Sequence, residues 1–174
     1  MKYASAYDVE KMARAQAVAL PVSFKQSAEI CRHIRNKPYK TAIRILEQAI
    51  TMEVAIPFTR FNRGGTGHRK GIGGPGRYPI KASTHLLKLL KSAYANASQK
   101  GLNTNDLVVK SAVAKQGPKT PKYSRIRGRK AKRTHVEIVL LAAKPAEPKK
   151  TEKKQARTAK AKTEAKPETK TEAK

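Results

Sequence analysis

Alternating apolar and polar positions predict strands in three parts of the chain. The segments 107–113 and 136–140 place apolar residues at alternate positions, with Ser111 as the one exception, and residues 12–22 show a weaker form of the same pattern. Period-two alternation is typical of strands with one buried face. We therefore expect three strands, the last two of which form a long hairpin.

Helical periodicity separates the first predicted strand from the other two. Apolar residues spaced three and four apart predict helices over residues 24–35, 39–53 and 79–100. Ser23 and Gln26 form a capping-box pattern at the first helix, where Phe24, Ala28, Cys31 and Ile34 make an apolar stripe. Gly101 is placed to end the third helix.

This order of elements predicts an α+β fold, with a small antiparallel three-stranded sheet packed against three helices on one face. We assign residues 1–11 to an N-terminal arm and residues 12–143 to a globular domain. Residues 144–174 contain no Val, Ile, Leu, Met, Phe or Tyr. Such a segment buries too little apolar surface to offset its ordering entropy, so we predict a disordered tail.

Two segments of the domain are unsuited to a core. Residues 57–79 contain seven of the ten glycines and form a glycine-rich basic insertion. Residues 115–133 contain nine Lys or Arg and no acid, and they connect the two hairpin strands. Because those strands hold both ends together, we expect a projecting basic arm, and limbs of about 8–10 residues would reach roughly 25–30 Å.

Charge narrows the choice of partner. The formal net charge is +27, and residues 54–136 contain 19 Lys or Arg against one acid, Asp106. A polyanion is needed to neutralise such a chain, and nucleic acid is favoured over an anionic membrane. We find no run of 18 apolar residues and no signal-peptide core, so no membrane span is expected. The single cysteine, Cys31, suits a reducing cytoplasm.

Motifs for catalysis or cofactor binding are weak. Gly71–Gly76 matches G-x-G-x-x-G, but it lacks the preceding buried strand and the later acid of a dinucleotide site. His135 and Glu137 match the H-x-E of zinc deaminases without the downstream cysteines, and they are expected on the sheet surface. Cys31 and His33 could form a metal pair, but core packing is favoured for Cys31. We expect no catalytic, cofactor or metal site, and no small-molecule substrate.

The candidate RNA-binding residues are those of the two basic segments. Glycine lets backbone amides approach phosphate, Arg binds it bidentately, and Tyr123 can stack on a base. Arg125, Arg127 and Arg129 would share one face of an extended chain. The full set is Arg60, Arg63, Arg69, Lys70, Arg77, Lys115, Lys119, Lys122, Tyr123, Arg125, Arg127, Arg129, Lys130, Lys132 and Arg133.

Several of these motifs, in this order, resemble one known family. They are K-P-Y-K-T-A at 37–42, P-F-x-R-F-N at 57–62, A-N-A-x-x-K-G-L at 95–102, the R-x-x-G-R of the arm, and T-H-V-E-I-V-L at 134–140. Residues 12–142 are similar to the ribosomal large-subunit protein twenty-two family, in its archaeal and eukaryotic branch. In comparison with that family, the return limb of the arm is a few residues short.

The resemblance implies a non-enzymatic component of the large ribosomal subunit in the cytoplasm. It implies that large-subunit ribosomal RNA and neighbouring ribosomal proteins are the partners, with support of assembly as the role. The arm would then line the polypeptide exit tunnel beside the nascent peptide, with residues 123–129 near its tip. A DNA-compacting chromatin-type protein is the alternative, suggested by the lysine-rich tail, and a nucleotide-dependent enzyme is a third possibility.

Overall fold

The computed structural model describes residues 3–64, 66–71, 73–123, 125 and 128–142. The elements are β1 (Met12–Leu20), α1 (Phe24–Ile34), α2 (Tyr39–Ile50), β2 (Ile56–Pro57), β3 (Gly76–Arg77), α3 (Ile80–Gln99), β4 (Leu107–Gln116) and β5 (Thr134–Ala142). The predicted tail, residues 144–174, lies outside the described residues. No helix in the described part of the chain is long and apolar enough to cross a membrane.

The main sheet has three antiparallel strands in the order β1-β5-β4. Its central strand β5 places Val136, Ile138 and Leu140 on the core face, as the alternation predicts. α1 and α3 pack on that face, and α2 packs against α3, where the rings of Tyr39 and Tyr94 stack at 4.6 Å. The predicted α+β fold of three helices and a three-stranded antiparallel sheet is confirmed.

The buried side of α1 differs from the predicted stripe. Ser27, Ile30, Cys31 and Ile34 are buried, whereas Phe24 and Ala28 are only partly covered. Core packing of Cys31 is confirmed, and burial raises the pKa of its thiol to about 12. The thiol is therefore protonated at neutral pH and unsuited to metal binding.

Of the two predicted helix caps, one is confirmed. Ser23 is the N-cap residue that precedes α1, but its hydroxyl makes no capping hydrogen bond to the described backbone, so the predicted capping box is wrong. Gly101 has a φ of 70° and donates its amide to Ser98, and the amide of Leu102 reaches Ala97. These two hydrogen bonds form a Schellman motif, which favours glycine because of the left-handed backbone.

The sheet face opposite the helices carries a buried carboxylate. Glu137 lies on this face, as the alternation predicts, but it is only 2% exposed, so its expected surface position is wrong. Its side chain accepts hydrogen bonds from the Ala4 amide at 2.9 Å and from Lys115 Nζ at 3.2 Å. The two partners supply the pairing that a buried charge requires.

The N-terminal segment covers this face rather than hanging free. The Arg14 guanidinium lies 4.5 Å from the ring centre of Tyr3 and 4.2 Å from that of Tyr7. Lys100, beyond the end of α3, donates to the Tyr7 hydroxyl. Cation–π contacts of this kind are individually weak, and together with the Ala4 hydrogen bond they hold the segment against the sheet.

We expect Lys115→Ala to lower the free energy of unfolding by about 1–2 kcal/mol, because it removes a charged partner from the buried Glu137 carboxylate. The 30% exposure of Lys115 lets water replace part of that interaction and limits the loss. Urea denaturation measures the change, and Lys110→Ala on the exposed side of the same strand is the control. Equal stability of the two variants would contradict the prediction.

Candidate nucleic-acid interface

The basic arm continues the β4–β5 hairpin beyond the sheet. The Gly117 amide donates to Arg133 at 2.9 Å, the Ala131 amide to Thr120 at 2.7 Å, and the Lys122 amide to Arg129 at 2.9 Å. The paired limbs are therefore residues 117–122 and 129–133, and the tip of the arm lies between them. Both limbs are shorter than the expected 8–10 residues, and the return limb is the shorter one.

Glycine is required where the arm leaves the sheet. A Cβ at Gly117 would lie 2.9 Å from Nε2 of His135 and 3.2 Å from Cβ of Arg133. His135 is itself held, because its Nδ1 accepts the Ala19 amide at 3.1 Å. The close packing of these two residues holds the root of the arm in place against β1.

Most of the described polar side chains of the arm are exposed to solvent. Tyr123 is fully exposed at the tip, as a residue available for stacking on a base should be. The exposed cations are Lys119, Lys122, Arg125, Arg129, Lys130 and Lys132. Arg127 lies outside the described residues, so the shared face of the three arginines stays a prediction.

Contacts within the protein hold both Lys115 and the backbone of the glycine-rich insertion. Lys115 forms an ion pair with Glu137 at 3.2 Å and is less exposed than the other lysines of the arm. The insertion contains most of the antiparallel pair β2–β3 and a bridge between His68 and Pro75. Hydrogen bonds join Phe58 to Pro75 and Arg69 to Gly74, so the backbone doubles back on itself.

Two of the predicted RNA-binding arginines organise the insertion. Arg69 Nε donates to the Gly73 carbonyl at 3.1 Å, and its side chain occupies the space that a Cβ at Gly76 would need. Arg77 donates to Thr66 Oγ1 and to the Gly64 carbonyl, both at 3.0 Å. Lys70 and Arg63 are exposed on the same insertion.

A buried acid on α1 fixes the start of the insertion. Glu29 is 3% exposed, and its carboxylate accepts the amides of Thr59 at 3.1 Å and Arg60 at 3.0 Å. It also accepts the Thr59 hydroxyl at 3.3 Å. Sequence reasoning missed this residue. Its signal is a carboxylate next to Ile30 and Cys31 on the packed side of a helix, where a charge needs partners.

A cleft of about 380 Å³ forms where α1, the insertion and the arm meet. We call it the insertion cleft. Phe24 and Phe61 make an edge-to-face contact at 6.3 Å beside it. Five cations line it, and none of the described lining residues carries a carboxylate: they are Lys25, Arg60, Arg63, Arg77 and Lys132. Lys25 was not among the predicted site residues, because only the fold places α1 beside the two basic segments.

A second cleft of about 380 Å³ lies at the root of the arm, and we call it the root cleft. Four predicted site residues line it, namely Lys122, Lys130, Lys132 and Arg133. Lys132 lines both clefts, so the two are neighbours. Clefts with cations and few acids focus positive potential, which attracts phosphate.

His33 contributes no charge at neutral pH. Burial, together with the nearby charges of Lys37 and Arg69, lowers the pKa of its imidazole to about 4. The Lys37 ammonium donates to its Nε2 at 3.2 Å. Within the described residues, no group of three or more His, Cys, Asp or Glu side chains could hold a metal ion. The described clefts can bind an anion, and they offer no nucleophile with an adjacent base.

Several known proteins are similar in sequence to this chain. The family described as Ribosomal protein L22p/L17e matches residues 15–141. The large ribosomal subunit protein uL22 of Archaeoglobus fulgidus is 41% identical over 118 residues, which cover 67% of this chain and 76% of the relative. The protein of the same name from Methanocaldococcus jannaschii is 38% identical over 147 residues, covering 80% and 94%. This chain therefore belongs to the Ribosomal protein L22p/L17e family and is a structural, non-enzymatic component of the cytoplasmic ribosome.

Proposed function

We propose that the protein is a component of the large ribosomal subunit that binds large-subunit ribosomal RNA through its basic arm and glycine-rich insertion. The observation that carries the proposal is the insertion cleft, where the two segments meet and five cations line the walls. Phosphate contacts with Lys and Arg provide affinity that does not depend on base sequence. Tyr123 adds a stacking surface for an unpaired base.

Assembly is the role that this binding serves. The arm projects beyond the sheet, and its exposed cations have no acids among them to shield their repulsion. RNA that folds around the arm neutralises this charge, so protein and RNA stabilise each other's bound conformation. Neighbouring ribosomal proteins would then contact the surfaces of the globular domain that RNA leaves open.

The tip of the arm is the part proposed to line the polypeptide exit tunnel. An extended limb of six residues reaches about 20 Å from the edge of the sheet, at about 3.3 Å per residue. A globular domain on the subunit surface could thus place residues 123–129 beside a nascent peptide. The family resemblance supports this position.

Co-sedimentation tests the proposal directly. Full-length protein is mixed with large subunits lacking it, and with double-stranded DNA, at about 0.15 M salt, where long-range attraction between exposed charges is largely screened. We expect incorporation into the large subunit to persist and DNA binding to be lost. Equal retention on DNA would support the chromatin-type alternative instead.

A further inference from the structure

We propose that the root cleft is a seat for backbone phosphates of RNA, and that Lys81 of α3 forms one wall of it. This inference rests on the proposed function and assigns a contact to a residue outside both basic segments. The cleft joins residues distant in sequence: Pro21 follows β1, Lys81 lies in the first turn of α3, and the others belong to the arm.

Convergence of like charge is the first argument. Five cations line the root cleft, and none of them forms an ion pair with a described carboxylate: they are Lys81, Lys122, Lys130, Lys132 and Arg133. Cations gathered in one concavity repel each other in the free protein. A bound polyanion reverses the sign of that interaction, so the cleft favours a ligand with several negative charges.

The fixed geometry of the root is the second argument. Arg133 Nη1 donates to the Ala19 carbonyl at 3.2 Å, and the Ala19 amide donates to His135. Gly117 lies against the same two side chains. Since the protein itself holds Arg133 and the adjacent backbone, this end of the arm is organised before RNA binds, which lowers the ordering cost of binding.

Lys132 connects the proposed phosphate site in the root cleft to the insertion cleft. Because Lys132 lines both clefts, one RNA strand can pass from Lys25 and Arg60 in the insertion cleft to Lys81 in the root cleft. Four of the five cations in the root cleft are lysines, whose ammonium groups act as point charges rather than as planar forks. Such a seat suits phosphates and does not read bases.

Substitution of Lys81 tests the inference in the full-length protein. We expect Lys81→Ala to weaken binding to a large-subunit ribosomal RNA fragment several-fold, and to lower the slope of log affinity against log salt by about 0.7–0.9, the value of one phosphate contact. Lys91→Ala is the matched control, since Lys91 is an exposed lysine on the same helix and lines neither cleft. Lys81→Arg keeps the charge and should keep the slope.

Two results would overturn the assignment. One is a wild-type slope in Lys81→Ala, and the other is an equal decrease in Lys81→Ala and Lys91→Ala, which would mean that only net charge matters. Failure of the proposed function gives a different result: the wild-type protein would then bind unrelated RNA as tightly as the ribosomal fragment, whatever the behaviour of Lys81.

Discussion

Replacing residues 118–132 by an Asn-Gly turn is expected to reduce affinity for large-subunit ribosomal RNA by about a thousandfold, while the globular domain stays folded. The replaced segment holds seven Lys or Arg. If most of them contact phosphate at about 0.7–0.9 of slope each, the salt dependence falls by up to about 5–6. Gly117 and Arg133 already face each other across the hairpin, so a two-residue turn can close it.

Truncation after residue 143 is the control for the arm replacement. The removed tail carries eleven Lys or Arg and five Glu, a net charge of +6, which is close to the seven charges of the replaced arm segment. Filter binding over a range of salt concentrations compares the two variants, and circular dichroism checks that both fold. A larger loss from the tail truncation than from the arm replacement would favour the chromatin-type alternative and count against our assignment.

Glu29→Gln is expected to lower RNA affinity about tenfold even though it removes a negative charge from a protein that binds a polyanion. The carboxylate accepts two amides and a hydroxyl at the start of the insertion. A glutamine has one acceptor oxygen, and its NH₂ group would face an amide donor. The Thr59–Arg60 backbone then loses its anchor, and Arg60 is no longer held at the insertion cleft. Unfolding free energy should fall by about 2–3 kcal/mol.

Glu47→Gln separates this positioning effect from simple electrostatics. Glu47 is exposed on α2, so its substitution removes the same charge without disturbing the insertion. On charge alone both variants would bind RNA slightly more tightly, whereas positioning predicts a loss for Glu29→Gln only. Hydrogen exchange at the Thr59 and Arg60 amides gives an independent readout, with faster exchange expected in Glu29→Gln. Matching affinities for the two variants would refute the role of Glu29.

Local patterns were sufficient for most of the scaffold. Period-two alternation identifies β4 and β5, and the glycine after α3 marks its end, because backbone geometry imposes both signals on nearby residues. The capping box failed at Ser23, where the residue types fit but the hydroxyl makes no capping bond. The stripe of α1 also differed, since its neighbours in the fold bury Ser27 and Ile30 in place of Phe24 and Ala28.

The sequence also predicted only part of the candidate interface. Composition located the arm and the insertion, because an acid-free basic segment without apolar periodicity is visible in the chain itself. The clefts were not visible. They depend on Lys25 and Lys81, two helical lysines that only the packing of α1 and α3 brings to the basic segments. The spacing of residues along the chain does not indicate which helices pack beside the basic segments.

The amino-acid sequence by itself determined the α+β class, the three helices, the β4–β5 hairpin and the basic character of the arm, since each depends on neighbouring residues. Only the tertiary structure decided which charged side chains bind other groups of the protein itself. Glu29 holds the insertion, Glu137 pairs with Lys115, and Arg77 binds the backbone of its own loop. These assignments depend on contacts between residues 13 to 31 positions apart, and burial rather than residue type separates a structural charge from one that can meet RNA.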